Sequence, residues 1–162
     1  MVIGQDYRMA MARLGAAVNV ITTDGPGGKR GFTASAVCSV TDTPPTLLVC
    51  CNRANDSHRA LLANRVLCVN TLAAGQTDIS AIFAGGLEGE ARFDIGVWSA
   101  LVTGAPVLQG ALESFDCRIV QVSEVGTHSV FFAEVEAVAH GSMREGLIYF
   151  GRAYHSLMHP AA

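Results

Sequence analysis

Small hydroxyl side chains recur along one predicted strand, in the segment GFTASAVCSVTDTPP at residues 31–45. Successive side chains of a strand point to opposite faces. One face is therefore nearly all hydroxyl, with Thr33, Ser35, Val37, Ser39 and Thr41. The other face is apolar, with Phe32, Ala34, Ala36, Cys38 and Val40. Because hydroxyl groups are short, uncharged and able to donate or accept hydrogen bonds, the first face suits a polar ligand that approaches closely.

Two interpretations of this hydroxyl face remain open. It could belong to a half-exposed strand that uses the β-favouring residue Thr together with Ser. It could instead bind a flat, conjugated ligand that carries a phosphate. Hydroxyls and backbone N–H groups can hold a ring edge and a phosphate without a cluster of cations. Gly31, at the start of the segment, permits close approach of the backbone.

The motifs do not support two other chemistries. In the glycine-rich DGPGGKRG at residues 24–31, Arg30 follows Lys29 at the position where a phosphate-binding P-loop needs Ser or Thr. We therefore interpret this segment as the tip of a hairpin. The chain has no G-x-G-x-x-G motif opening a helix and no G-x-S-x-G motif, so the sequence indicates neither a Rossmann dinucleotide site nor a nucleophile elbow.

Two later stretches combine His, Arg and Tyr. GTH at residues 126–128 joins two predicted strands, and a histidine in such a connection is usually structural or solvated. YFGRAYH at residues 149–155 alternates aromatic residues with Arg152. By itself this pattern predicts a final strand whose arginine extends its charged end into solvent. Taken alone, neither stretch indicates catalysis.

Composition limits the class of protein. At 162 residues the chain is predicted to be one domain, residues 1–162. Only 15% of the residues are charged, against a usual level of about 25%. This shortage of charge indicates that apolar surface is covered in an oligomer, of which a homodimer is the commonest form. No apolar run reaches the ~20 residues of a membrane helix, and the scattered Lys and Arg residues lack the basic stripe typical of nucleic-acid binding.

The cysteines indicate the cellular compartment. They are Cys38, Cys50, Cys51, Cys68 and Cys117. Their odd number, the lack of C-x-x-C and their apolar surroundings indicate buried free thiols in a reducing cytoplasm. The spacing of Cys and His is not that of a zinc site, so no metal is expected. The N-terminal MVIGQDYRMAMARL has an early Asp and no apolar centre, so no secretory signal is predicted.

The elements that would position these residues are mostly strands. Strands are predicted for AVNVITTDG, GFTASAVCSVT, TLLVCCN, VLCVNTL, ALESFDCRIVQVSEV, SVFFAEVEAVAHG and GLIYFGRAY. Short helices are predicted at residues 6–15, at SHRALLANR with Ser57 as N-cap, and around TDISAIFAG, whereas residues 85–111 are predicted to be irregular. Because few helices separate the strands, the pattern indicates a mainly β fold with short helices, an antiparallel barrel of Greek-key type.

Together these stretches resemble one family, the short-chain flavin reductases. Members are the reductase components of two-component monooxygenase systems and have an FMN-binding split-barrel fold. The resemblance extends from MARLGAAVNVITT to GLIYFGRAYHSLM. Its most specific part is G-x-T-x-S-x-x-x-S followed by a pair of prolines, at Gly31, Thr33, Ser35, Ser39, Pro44 and Pro45. The resemblance implies that the hydroxyl face is the wall of a flavin site.

The resemblance also implies site residues. Along the edge of the isoalloxazine it places Gly31, Phe32, Thr33, Ala34 and Ser35. Near the ring and the ribityl chain it places Ser39, Cys50, Cys51 and Asn52. On the phosphate side it places residues 55–59, among them Asn55 and, foremost, Ser57. At the NADH site it places His128, Arg152 and Tyr154, although many members have Gly-Asp-His where this chain has Gly126, Thr127 and His128.

The implied reaction is hydride transfer from C4 of NADH, or NADPH, to N5 of FMN or FAD, which requires no catalytic residue of the protein. His128 is expected to position the nicotinamide and not to carry a proton. The reduced flavin would diffuse to a flavin-dependent monooxygenase, with no membrane or nucleic acid involved. The sequence leaves open the choice between FMN and FAD, the choice between NADH and NADPH, and a non-catalytic flavin carrier or sensor on the same barrel.

Overall fold

The computed structural model describes residues 2–158. Within them the α-helices are α1 (Gly4–Met11), α2 (Asp56–Asn64) and α3 (Thr77–Ala81). The strands of the first half are β1 (Ala16–Ala17), β2 (Asn19–Thr23), β3 (Arg30–Ala34), β4 (Val37–Asp42), β5 (Pro45–Asn52) and β6 (Val66–Thr71). Those of the second half are β7 (Trp98–Ala100), β8 (Pro106–Leu108), β9 (Glu113–Val125), β10 (His128–His140), β11 (Glu145–Phe150) and β12 (Ala153–Met158). A π-helical segment, Ile82–Gly86, extends α3, and a 3-10 helix spans Gly89–Asp94.

Seven antiparallel strands form the main sheet, in the order β3-β2-β6-β9-β10-β5-β4. A second sheet has the order β1-β11-β12, and β7 pairs with β8. The predicted mainly β fold with short helices is confirmed, and β5, β6, β9 and β10 coincide with predicted strands. No helix within residues 2–158 is long and apolar enough to cross a membrane.

The predicted strand at residues 31–41 is two strands, so the prediction of one continuous hydroxyl face is wrong. β3 ends at Ala34, and Ser35 and Ala36 carry the chain to the start of β4. β3 and β4 are the two outer strands of the main sheet. Ser35 and Ala36 belong to neither strand, although the Ala36 carbonyl accepts a hydrogen bond from the Cys50 N–H at 3.0 Å. The alternation of faces is therefore not carried from one strand to the other.

In β4 the apolar set does not form a buried face. Cys38 and Val40, of the apolar set, are exposed, as is Ala36 just before the strand, and Ser39 and Thr41 of the hydroxyl set are exposed as well. Val37, on the predicted hydroxyl side, packs against the core. In β3, by contrast, the apolar residue Phe32 lies in the core. The residues of the hydroxyl set therefore lie in two places, with Thr33 and Ser35 near the end of β3 and Ser39 and Thr41 on β4.

Three boundaries also differ from the prediction. The N-cap of α2 is Asn55, whose side chain accepts a hydrogen bond from the Ser57 N–H at 2.9 Å, and Ser57 lies inside the helix. The predicted last strand, residues 146–154, is a hairpin of β11 and β12. Its turn residues Gly151 and Arg152 both have positive φ, as a two-residue type I′ turn requires. The region 85–111, predicted to be irregular, contains the 3-10 helix and the β7–β8 pair.

The core has two main parts. On one face of the main sheet lie Ile21, Phe32, Val49, Leu61, Leu67, Val69, Ile119 and Phe131. Next to α3 lie Val18, Val20, Leu72, Ile79, Phe83, Leu108 and Leu147. The second cluster packs α3 against β2 and β11, and so sets the distance between β3 and the C-terminal hairpin.

One buried amide ties the second half of the chain to the main sheet. Asn70, in β6, is fully buried. Its Nδ2 donates to the carbonyls of Val20 at 3.2 Å and Pro106 at 3.3 Å. Its Oδ1 accepts hydrogen bonds from the Leu108 N–H at 2.8 Å and the Ser114 hydroxyl at 2.9 Å. A single side chain therefore joins β2, β8 and β9.

Replacing Asn70 by Leu, a side chain of similar size, should destabilise the fold. Each buried polar group left without a partner costs about 1–3 kcal/mol, so we expect the free energy of unfolding to fall by about 3 kcal/mol in total. Urea unfolding measures this change. The control Gln121→Ala, at an exposed position of β9, should stay within about 0.5 kcal/mol of the wild type. A loss below about 1 kcal/mol for Asn70→Leu would contradict the assigned role.

Candidate functional site

A cavity of about 260 Å³ lies where β3, α3 and the C-terminal hairpin meet. Its lining residues are Val18, Thr33, Ala34, Ser35, Ser80, Ala84, Tyr149 and Tyr154. Four of the predicted site residues therefore meet here: the consecutive residues Thr33, Ala34 and Ser35, and Tyr154 from the other end of the chain. We call this the hydroxyl cavity.

Two hydrogen bonds hold the polar wall of the hydroxyl cavity. The Thr33 hydroxyl donates to the Ser80 carbonyl at 2.6 Å, and the Ser80 and Tyr154 hydroxyls share a hydrogen bond of 2.8 Å. The Tyr154 ring meets the Tyr149 ring edge to face, with centroids 5.7 Å apart. The wall therefore combines aromatic rings, which can stack on a planar ligand, with hydroxyls that can bond to its edge.

Ser80, Ala84 and Tyr149 lie outside the sequence prediction. Ser80 is fully buried inside a helix, where serine is not favoured because its hydroxyl competes with the backbone hydrogen bonds. A serine among the apolar residues of TDISAIFAG is the signal that could have found it. Tyr149 stands opposite Tyr154 in the β11–β12 register, so recognition of the hairpin turn would have revealed it. No comparable signal marks Ala84.

A larger groove, of about 800 Å³, adjoins the hydroxyl cavity and shares Ser35 and Tyr149 with it. Arg152 lines this groove, as do Tyr7 and Met11 of α1. Ligand sites for small molecules commonly measure about 300–1,000 Å³. The two adjoining spaces therefore have room for a planar ring system and a polar extension.

A second group of predicted residues lies where β5 ends. Asn52 stands opposite His128 in the β5–β10 register. The Asn52 Oδ1 accepts a hydrogen bond from the Ala54 N–H at 2.9 Å and so shapes the turn that follows. Nδ1 of the exposed His128 lies 2.9 Å from the Thr127 hydroxyl. Thr127, which stands where many members of the resembled family have Asp, therefore holds the His128 ring by a hydrogen bond.

The turn into α2 carries the candidates for the phosphate side. The Asn55 side chain is engaged as the N-cap, and the fully buried Ser57 has its hydroxyl 3.4 Å from the Asp56 carboxylate. The neighbouring His58 has its Nε2 2.9 Å from the Ser129 hydroxyl. Burial, with a smaller effect from nearby arginines, lowers the pKa of His58. The His58 ring is therefore neutral at neutral pH.

Three other predicted residues, Ser39, Gly31 and Phe32, do not line the hydroxyl cavity. Ser39 lines a separate space of about 370 Å³ beside β4. The close approach expected at Gly31 is made by Phe83, since a Cβ at Gly31 would lie 2.8 Å from the Phe83 ring. The Phe32 side chain belongs to the core, so only its backbone is available to a ligand.

Burial makes most of the thiols unreactive. It raises the pKa of Cys51 to about 12, with a smaller effect from Asp56, and raises the pKa of Cys117 to about 12. It also raises the pKa of Cys68 and of the half-buried Cys50. All five cysteines have free thiols as predicted, but Cys38 is exposed, so the prediction of buried thiols is wrong for that residue. Cys50 and Cys51 therefore offer a ligand packing and backbone groups but no thiolate.

Comparison with known proteins places the chain in a family. The family model described as "Flavin reductase like domain" matches residues 11–158. The FMN reductase (NADH) RutF of Ancylobacter novellus is 60% identical over 153 residues, which are 94% of this chain and 84% of that protein. The predicted resemblance to flavin reductases is thereby confirmed.

Two solved structures extend the likeness to the fold. The NADH:FAD oxidoreductase SgcE6 of Streptomyces globisporus C-1027 is 30% identical with a TM-score of 0.89, and the match covers 97% of this chain and 96% of that one. The styrene monooxygenase flavin reductase SMOB of Pseudomonas putida S12 is 25% identical with a TM-score of 0.83, covering 96% and 99%. These likenesses confirm the predicted split-barrel fold class. Because the family model and the relative both span nearly all of the chain, the protein belongs to the family of flavin reductase like domains.

Proposed function

We propose that the protein is a flavin reductase that transfers a hydride from NADH to FMN and supplies reduced flavin to a partner monooxygenase. The observation that carries the proposal is the hydroxyl cavity, where Thr33, Ser35 and Tyr154 meet. The 60% identity to a protein named FMN reductase (NADH) supports FMN over FAD and NADH over NADPH. Likeness to a styrene monooxygenase flavin reductase supports the monooxygenase partner.

The chemistry supplied by the two nucleotides is hydride transfer from nicotinamide C4 to flavin N5, for which the chain provides binding and orientation. The Thr33 hydroxyl donates to Ser80, so its lone pairs are left to accept a hydrogen bond from a ring N–H. The exposed Ser35 hydroxyl, at the junction of cavity and groove, can donate to a ring oxygen. Tyr149 and Tyr154 form one side of the cavity.

The wall favours reversible binding. The lining residues of the hydroxyl cavity, all within the described part of the chain, include no charged side chain. Without an ion pair to break, a ligand can leave such a site readily. Release of the reduced flavin is what a reductase that serves a separate monooxygenase requires. Flavin therefore acts here as a substrate as well as a cofactor.

The phosphate side is proposed at the start of α2, with Asn55 and Ser57, and the ribityl chain beside Cys50, Cys51 and Asn52. The N-terminus of a helix favours an anion because its first N–H groups have no partner within the helix and its dipole is positive there. α2 follows β5 after a short turn, so a ligand extending along the end of β5 would reach it. His128, beside Asn52, is proposed to position NADH. Arg152 and Tyr154, on the C-terminal hairpin, are proposed to act at the same NADH site.

A homodimer is proposed from the outward face of β4, β5 and β10. Leu48 of β5 stands opposite Phe132 of β10 on one side and opposite Cys38 of β4 on the other. Val49 and Phe131, the next residues along β5 and β10, point into the core. The row of Cys38, Leu48 and Phe132 therefore points outward. An apolar row across three strands favours cover by a second copy.

The five free thiols and the use of NADH support a location in the cytoplasm.

The proposed activity is tested by NADH consumption of the purified protein with and without added flavin. We expect turnover that saturates with FMN and is slower with FAD, and a preference for NADH over NADPH. Reactions without protein and without flavin are the controls. Tight flavin binding with no NADH oxidation would favour the carrier or sensor, and neither binding nor turnover would contradict the proposal.

His128→Ala should raise the KM for NADH about tenfold and change kcat by less than about threefold, because the ring contributes uniform binding and no proton transfer. Steady-state kinetics at saturating FMN separate the two constants. Thr127→Val, which removes the hydrogen bond to the ring, should have the same effect to a smaller extent. A large loss of kcat at an unchanged KM would contradict a purely positioning role.

Leu48→Glu should dissociate the proposed dimer, because it places a charge at the centre of the apolar row. Sedimentation of the wild type should give a mass twice the 17.0 kDa of one chain, and the variant should sediment as a monomer. Leu62→Glu, at an exposed position on α2 outside the apolar row, is the control and should remain dimeric. A monomeric wild type would reject the dimer.

A further inference from the structure

We infer that Arg92 is a positioning residue for the phosphate side of the flavin site, and that its charge compensates Asp56 so that the protein selects FMN over riboflavin. The inference rests on the proposed function and deepens it. FMN and riboflavin share the ring and the ribityl chain and differ only in the phosphate. A group that acts at the phosphate therefore changes the preference between these two flavins.

The Arg92 guanidinium is buried and joins three parts of the chain. Its side chain is 8% exposed. Nε donates to the Leu87 carbonyl at 2.7 Å, and Nη1 donates to the Gly31 carbonyl at 2.6 Å. Nη1 also lies 3.2 Å from the Asp56 carboxylate. A buried charge persists only when it is paired and hydrogen-bonded, and Arg92 meets both conditions.

Two of the partners of Arg92 belong to segments that are part of the proposed flavin site. Gly31 begins the segment that leads to the hydroxyl wall, and its carbonyl is held by Arg92 while its α-carbon packs against Phe83. Asp56 is the first residue of α2, next to the Asn55 cap. The planar guanidinium carries five donors in a fixed arrangement, so it can set the separation of these two elements.

The charge on Asp56 makes compensation necessary. Its side chain is 41% exposed and opens into a basin of about 480 Å³, whose lining residues are Arg30, Asp56, Glu88, Gly89 and Arg92. Arg30 is 3.8 Å from the Glu90 carboxylate, so its charge is shared with another acid. An uncompensated carboxylate at the start of α2 would repel a phosphate. Arg92 removes that repulsion and leaves the N–H groups of the helix to attract the anion.

Two substitutions with opposite expected effects test the inference. Arg92→Met keeps the bulk of the side chain but removes the charge, and it should raise the ratio of KM for FMN to KM for riboflavin about tenfold, as for loss of hydrogen bonds to a charged group. Asp56→Asn leaves the charge of Arg92 uncompensated, and it should lower the same ratio about threefold, as expected for a half-exposed charge. Arg92→Lys should restore part of the preference lost in Arg92→Met.

The control is Arg118→Met, which removes an exposed arginine paired with Glu136 and should leave the ratio unchanged. If Arg92→Met does not fold, Asp56→Asn carries the test, because its side chain is partly exposed. Equal changes of the KM for FMN and the KM for riboflavin in Arg92→Met would overturn the inference, as would an unchanged ratio of the two in Asp56→Asn. If these variants still oxidised NADH with both flavins, the proposed function would stand. A wild type that oxidises NADH with neither flavin would reject the proposed function as well.

Discussion

Two residues, Ser35 and Ala36, have to carry the chain from one edge of the main sheet to the other. In a flat sheet the outer two of seven strands would lie about 29 Å apart, since neighbouring strands are ~4.8 Å apart. The three Cα–Cα steps from Ala34 to Val37 span at most about 11 Å. The sheet must therefore curl until β3 and β4 are close, and β3 does contact β5 across the gap. The barrel follows from the shortness of this connection.

The same connection creates the candidate site. Because Ser35 lies outside the ladder, its side chain reaches the junction of the hydroxyl cavity and the adjoining groove. The hydrogen bonds from Thr33 to Ser80 and between Ser80 and Tyr154 then draw α3 and the C-terminal hairpin against β3. The wall is thus assembled from three elements that are distant in the sequence. Its lining side chains carry no charge, whereas the proposed phosphate side is bordered by the paired charges of Arg92 and Asp56.

The strands that could be predicted from the sequence are those whose signal is local. β5 and β6 are short apolar runs between turn residues, and β9 and β10 are long β-rich runs joined by a glycine-containing turn. The division of residues 31–41 could not be predicted, because alternation describes each short segment and carries no information about which strands become edges. At the site, resemblance to a family predicted Thr33, Ser35 and Tyr154. Ser80 and Tyr149 enter through packing between elements, which no single stretch of sequence encodes.

The burial of Cys51 and Cys117 has a consequence for the working life of the protein. Reduced flavin that escapes into aerated solution reacts with dioxygen and yields hydrogen peroxide, so a flavin reductase operates close to an oxidant of its own making. Peroxide attacks the thiolate form of cysteine. Because the pKa values of Cys51 and Cys117 are raised to about 12, these thiols stay protonated and enclosed in the core. The same packing that builds the barrel thereby shields its interior from oxidative damage.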